Sequence, residues 1–181
     1  MILIDGTKLS EEIKSELAEK IKKLAEKGEK VPGLVTILVG ENPASQSYVN
    51  SKGKACQKLG MLSKTERLPE TISQDELLSV IDKYNKDSNY HGILVQLPLP
   101  SHINEDAVVE AISPEKDVDG FHPVSVGNLV IGKDTFYPCT PYGIIEMLKR
   151  YKIETSGKHA VVVGRSNIVG KPVSIMLLQK K

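Results

Sequence analysis

Leu9, Ile13, Leu17, Ile21 and Leu24 recur every three or four positions with Lys and Glu between them, which predicts a surface helix with one buried stripe. Gly28 then supplies the left-handed residue that ends it. Leu34 to Val39 is a short, almost wholly apolar run between Pro32-Gly33 and Gly40. Such a run suits a strand buried on both faces. A second helix is expected from about Pro43 to Leu59, closed by Gly60. Ser73-Gln74-Asp75-Glu76 is a capping box that opens a third helix through Ile81 toward Tyr84. Gly92 to Leu97 reads as another buried strand, so the pattern is β-α-β twice over, and crossovers of that kind place a parallel sheet between helices.

Further along, Thr140-Pro141 reads as an N-cap followed by proline at the first helical position, and Ile144, Ile145, Met147 and Leu148 carry that helix to about Tyr151. Lys158 to Gly164 is expected to be a buried strand running into a glycine turn, with a helix over Ile168 to Leu178. The fold class is therefore α/β, beginning with a three-layer domain around a parallel sheet. The expected division is residues 1–139, a connecting helix over 140–154, and the start of a second domain over 155–181. These last 27 residues are fewer than the about 50 that an independent domain needs, so a longer parent protein is expected.

Composition narrows the class. The chain has 181 residues, is 40% hydrophobic and 26% charged, and lacks tryptophan, which is ordinary for a globular protein and excludes a disordered or collagen-like one. Residues 1–90 carry 14 cationic and 14 anionic side chains, and the remainder 10 and 9. Neither half has a basic field for nucleic acid or an anionic membrane. Cys56 and Cys139 stand far apart with no Cys or His at metal-ligand spacing, so neither a zinc site nor a disulfide framework is expected. A reducing cytoplasm is the simplest location. The N-terminus meets charge at Asp5 without a signal-like or transit-like stretch, and no apolar run approaches the roughly 18 residues of a membrane span.

The candidate chemistry begins on the second helix. Tyr48 and Lys52 are four apart and share a face, where a ring beside an ammonium offers a planar substrate a stacking surface and a movable cation. The alternative is a solvated lysine beside an amphipathic tyrosine. Gln96 ends an otherwise apolar strand, where its amide must find partners; parallel sheets bind ligands just past such carboxyl ends. In Asp117-Val118-Asp119-Gly120 the carboxylates alternate, so one is expected to be structural and the other to face a cleft. Gly164-Arg165-Ser166 begins a glycine turn before a helix, where amides favour a phosphate and Arg165 could pair with one. The alternative is a structural strand-to-helix turn.

Four stretches together resemble one family. They are Tyr48-Val49-x-x-Lys52-x-Lys54-Ala55, Gly92 to Pro100, Pro114-x-Lys116 to Phe121, and Pro138-Cys139-Thr140-Pro141-x-Gly143 with Gly164-Arg165-Ser166-x-Ile168-Val169-Gly170-x-Pro172. In order and spacing the chain is similar to the bifunctional methylenetetrahydrofolate dehydrogenase/methenyltetrahydrofolate cyclohydrolases. The resemblance implies a folate-binding catalytic domain followed by a Rossmann-type NAD(P)-binding domain, incomplete here, with the folate cleft between the two. It implies NADP as the more usual cofactor and NAD as the variant. By position it implies that Lys52 is the central catalytic residue, that Tyr48 stacks on or orients the folate, and that Gln96 hydrogen-bonds Lys52. Leu97 joins the substrate site, Asp119 holds the pterin, and Gly164, Arg165 and Ser166 contact the cofactor phosphates. A cytoplasmic homodimer of one-carbon metabolism, serving purine biosynthesis, completes that expectation. A non-catalytic folate-binding or interaction fragment is the alternative.

Overall fold

The computed structural model describes residues 3–179, so the first two and last two residues of the expected domains lie outside the described residues. Two compact units emerge: Glu11–Lys116, and the described residues before Glu11 together with those from Asp117 onward.

In the first unit, helix α1 (Gly6–Glu26) contributes all but its first turn. Its end is a left-handed stop, with Gly28 at φ 71°. The Gly28 N–H donates to Ala25 O and the Glu29 N–H to Leu24 O, both at 3.0 Å, which satisfies two carbonyls the helix itself leaves without donors. Strand β1 (Gly33–Val39) follows. Helix α2 (Pro43–Leu59) starts where Asn42 Oδ1 accepts the Ala44 and Ser45 N–H groups and ends at left-handed Gly60. Strand β2 (Leu62–Leu68), helix α3 (Gln74–Lys86) behind its Ser73–Glu76 capping box, and strand β3 (Gly92–Val95) complete two β-α-β crossovers. A short helix α4 (Glu105–Ala111) and a 3₁₀ turn at Pro114–Lys116 close the unit.

The sheet is parallel with order β2-β1-β3. Val35, Ile37 and Val39 of β1 form one core with Ile93 and Val95 of β3, Leu77, Ile81 and Tyr84 of α3, and Val108 of α4. Alternation along the strand sends Thr36 and Leu38 to the other face; both are buried, and α2 packs on β1 and β2. Glycine is required at the entry to β1, because a Cβ at Gly33 would stand 2.1 Å from Asn89 O. There the Gly33 N–H donates to His91 Nδ1 at 3.0 Å, and the His91 N–H to Gly33 O at 2.8 Å.

Strand β2 had no counterpart in the hydrophobic pattern. It is an edge strand of mixed polar residues, Leu-Ser-Lys-Thr-Glu-Arg-Leu, with no position fully buried. A polar cluster holds it instead. The Tyr84 hydroxyl donates to Glu66, Lys64 Nζ lies 3.0 Å from the same carboxylate, and the Lys64 and Lys83 ammoniums sit 5.4 and 5.3 Å from the Tyr84 ring centre. Strand β3 is shorter than expected. Its ladder ends when the Gln96 N–H donates to Ile37 O at 2.9 Å, so Gln96 and Leu97 lie past the strand.

In the second unit, helix α5 (Pro123–Ile131) begins behind His122, whose Nδ1 accepts the Val124 N–H, with proline in its first turn. Helix α6 (Cys139–Arg150) is capped by Pro138 and not by Thr140. The reason is that Tyr142 N–H already donates to Pro138 O at 3.0 Å. Pro141 is thus third in the helix, where a missing N–H still costs nothing. The expected buried strand over 158–164 is absent: the segment has no regular secondary structure and joins no ladder, and Val161 and Val163 are 74% and 98% exposed. Three apolar residues in a row favour extension, yet a strand also needs partners on its edges and cover on its faces, and among the described residues this unit has no strand to offer. Helix α7 (Gly170–Leu178) closes the unit, with Met176 packed against Leu129 of α5 and Ile145 of α6.

The β2 cluster makes a pH-dependent contribution. The Tyr84 hydroxyl, and after it the Lys64 ammonium, hold the Glu66 carboxyl below its ordinary value. The carboxylate therefore contributes stability above the ordinary carboxylate range, and loses it as pH falls through its lowered value. Tyr84→Phe should cost about 1.5–3 kcal/mol at neutral pH and flatten the acid side of the stability profile, with Glu66 titrating closer to the ordinary value in an NMR titration.

Candidate active site

Tyr48 and Lys52 lie on α2, which leaves the carboxyl end of β1 after Gly40. Val49 and Cys56 turn the helix inward, at 1% and 5% exposure, and this orientation puts Tyr48 outward, 61% exposed. The helical spacing brings the Lys52 ammonium 4.9 Å from the centre of the Tyr48 ring, within the range of a cation–π contact. The ammonium also influences the neighbouring turn. Burial pushes the Cys56 thiol up, while the Ser63 hydroxyl and Lys52 pull it the other way.

Gln96 and Leu97 are half-buried in the same unit, at the carboxyl end of β3. Gln96 Nε2 donates to its neighbour's carbonyl, Leu97 O, at 2.8 Å, and Leu99 N–H donates to Glu105 Oε1 at 3.1 Å. The segment after β3 is thus fastened to α4. Four of the expected site residues therefore come from α2 and from the loop after β3, at the end of a parallel sheet where ligands bind.

Asp117 and Asp119 belong to the other unit and differ in environment. Asp117 is 2% exposed; its Oδ2 accepts the His122 N–H at 2.9 Å and its Oδ1 the Phe121 N–H at 3.3 Å. Asp119 is half-buried. The alternation in the sequence is realised as one enclosed carboxylate and one that solvent still reaches.

The glycine turn before α7 is built locally. Ser166 Oγ accepts the Val169 and Gly170 N–H groups at 3.1 and 3.2 Å, and Lys171 N–H donates to Ser166 O at 3.0 Å. Ser166 Oγ thus satisfies amides at the start of α7, which begins at Gly170 and not at the expected Ile168. Gly164, Arg165 and Ser166 are exposed, so the Arg165 guanidinium is a donor that a phosphate can reach. Both cysteines are thiols, Cys56 buried and Cys139 exposed. Among the described residues no group of His, Cys, Asp and Glu is arranged to hold a metal ion, and no helix is long and apolar enough to cross a membrane.

Comparison with known proteins places these residues in context. Residues 4–119 match the family model of the tetrahydrofolate dehydrogenase/cyclohydrolase catalytic domain, and residues 138–181 that of its NAD(P)-binding domain. The chain is 56% identical over 178 residues to the bifunctional protein FolD of Enterococcus faecalis, with 98% of this chain and 63% of that protein covered. It is 58% identical over 182 residues to the FolD of Chloroherpeton thalassium, covering 99% and 62%. The crystal structure of the Campylobacter jejuni bifunctional enzyme FolD matches with a TM-score of 0.95 at 53% identity, over 98% of this chain and 63% of that one. The Trypanosoma brucei enzyme, complexed with NADP cofactor and inhibitor, matches at 0.93 and 37%, over 99% and 61%. The chain thus spans less than two thirds of the length of these relatives.

The turn before α7 yields a direct test. A Cβ at Gly170 would stand 2.5 Å from Gly164 C and O and 2.9 Å from Arg165 N, all of them backbone atoms. Gly170→Ala should therefore displace the loop and cost about 1–3 kcal/mol, seen as a lower melting temperature and shifted amide resonances at residues 164–166.

Proposed function

The chain belongs to the tetrahydrofolate dehydrogenase/cyclohydrolase family, and we propose that it carries the folate-side machinery for oxidising 5,10-methylenetetrahydrofolate and hydrolysing the 5,10-methenyl product to 10-formyltetrahydrofolate. The observation that carries this reading is the Lys52 ammonium 4.9 Å from the Tyr48 ring on α2. A ring that is largely exposed can lie against a flat pterin or aminobenzoyl group, and the ammonium beside it is within reach of the one-carbon unit carried there.

Each residue then has a task. Tyr48 supplies the stacking surface. Water adding to the methenyl carbon gives up a proton and the departing nitrogen gains one as the C–N bond opens, and Lys52 exchanges these protons. Gln96, held by the loop after β3, sets the position and protonation of Lys52 by hydrogen bonding, and Leu97 lines the substrate site beside it. Asp119 accepts hydrogen bonds from the N–H and amino groups on the pterin edge. Bound NADP, with NAD as the variant, would supply the acceptor for the hydride of the methylene carbon. The residues before α7 suit its phosphates: Gly164 and Gly170 let the backbone close up, Ser166 shapes the turn, and the Arg165 guanidinium offers a paired-donor contact.

The same reading includes the domain division at 139 and 154 and a cytoplasmic homodimer of one-carbon metabolism serving purine biosynthesis, without nucleic-acid or membrane partners. The near balance of charge in both halves supports the last point.

Lys52→Met keeps the stem and removes the ammonium. Hydrolysis of 5,10-methenyltetrahydrofolate should fall by at least about 10²-fold, with folate binding much less affected; near-normal hydrolysis would sink the assignment. Asp119→Ala should weaken folate binding by about 10- to 100-fold, the worth of one charged acceptor in a water-poor site. Titration with tetrahydrofolate measures it, and an unchanged dissociation constant would place the pterin elsewhere.

A further inference from the structure

Asp117 lies two residues before the carboxylate assigned to the pterin, yet its own carboxylate is 2% exposed and occupied by two backbone N–H groups. It cannot touch a ligand. A carboxylate is costly to enclose unless donors replace its water, and the donors here are consecutive amides, Phe121 and His122, at the entrance to α5. The Gly120 N–H closes back on Asp117 O at 3.1 Å. Main chain and side chain of Asp117 together therefore bracket residues 118–122.

The same turn is fixed from its other side. Gly120 has φ 67°, and a Cβ there would stand 2.7 Å from Phe136 O and 2.9 Å from Pro138 N and Tyr137 C, so the turn lies flush against the backbone of 136–138. Pro138 is itself fully buried, and the Cys139 thiol points at Val118 O at 3.9 Å. Both neighbours of Asp119 are thus tied to 136–139, and the residue before them is tied forward to α5. Only a narrow set of backbone conformations at Asp119 fits all these ties.

We propose that Asp117 is a positioning residue for folate binding: its buried carboxylate holds the turn in the one conformation that presents Asp119, and it acts on the folate through Asp119 alone. This rests on the assignment of Asp119 to the pterin. A purely structural Asp117 would lower stability and weaken folate binding by the same factor whether or not residue 119 carries a carboxylate. A positioning Asp117 has nothing to position once Asp119 is gone.

A double-mutant cycle separates the two. Asp117→Asn is nearly isosteric but sets an amide NH₂ against one of the two N–H donors. Tetrahydrofolate is titrated into the unchanged chain, Asp117→Asn, Asp119→Ala and the double variant, and each is melted. With Asp119 present, Asp117→Asn should raise the dissociation constant about 10-fold, a coupling of the size found within one hydrogen-bonded turn. In the Asp119→Ala background it should change the constant by less than about twofold, while lowering the melting temperature equally in both. Equal loss in both backgrounds, or none in either, overturns the proposal. If Asp119→Ala alone leaves binding unchanged, the pterin assignment falls and the proposal with it, by a result distinct from additivity. Should Asp117→Asn not melt cooperatively, Cys139→Ala releases the weaker tie at Val118; it should cost about two- to threefold, again only with Asp119 in place, and the same two outcomes overturn the proposal.

Discussion

Strand β1 is the constraint on which the first unit depends. It pairs with β2 along one edge and β3 along the other, and its side chains are buried on both faces. A strand held in this way has no freedom of register, since a shift by one residue would exchange Val35, Ile37 and Val39 for Thr36 and Leu38 in the α3 core. Because both neighbours are parallel, each connection must cross a face as a helix. The carboxyl ends of β1 and β3 therefore open at the same end of the sheet, and α2 must leave from there. Tyr48, Lys52, Gln96 and Leu97 occupy that end as a consequence of the topology, before any of their own contacts is considered.

That dependence explains which elements could be read from the chain. α1, α2 and α3 announce themselves by periodicity and by their stops: Gly28, Gly60 and the Ser73–Glu76 box each perform the local task the sequence suggests. β1 was legible because a strand buried on both faces has no polar face to confuse it. β2 was not, since an edge strand is required only to pair. Its residues are fastened to α3 through Tyr84, Glu66 and Lys64, side chains that look like ordinary surface charges in one dimension. The start of α6 was misplaced for a related reason. Thr140-Pro141 has the composition of a cap, but the cap is fixed by which carbonyl receives the first helical hydrogen bond, and the buried Pro138 receives it.

The site was legible to the extent that it is local. The i, i+4 relation of Tyr48 and Lys52 is a property of any helix, and the structure adds that Val49 and Cys56 turn this face outward. The opposed fates of Asp117 and Asp119 follow from alternation, although alternation cannot say which carboxylate is enclosed. That was decided by the amides of Phe121 and His122 at the start of α5, an element whose opening signal, His122-Pro123, is not a conventional cap. Ser166 was legible as part of a glycine turn, but the acceptance of the Val169 and Gly170 N–H groups by its hydroxyl was not.

The segment 158–164 shows what happens when local preference meets no global partner. Ala160, Val161, Val162 and Val163 favour extension, yet the segment joins no ladder and most of these residues are exposed to solvent. Without a ladder such a segment gains little from its propensity, because strand stability comes from cross-strand pairs and burial. The turn that follows takes its geometry from no strand among the described residues. It takes it from Ser166, which satisfies the first amides of α7, and from the approach of Gly170 to the Gly164 peptide, closer than any side chain would allow. In the first unit the sheet comes first and the side chains follow. In the second unit the turn before α7 is shaped by its own bonds.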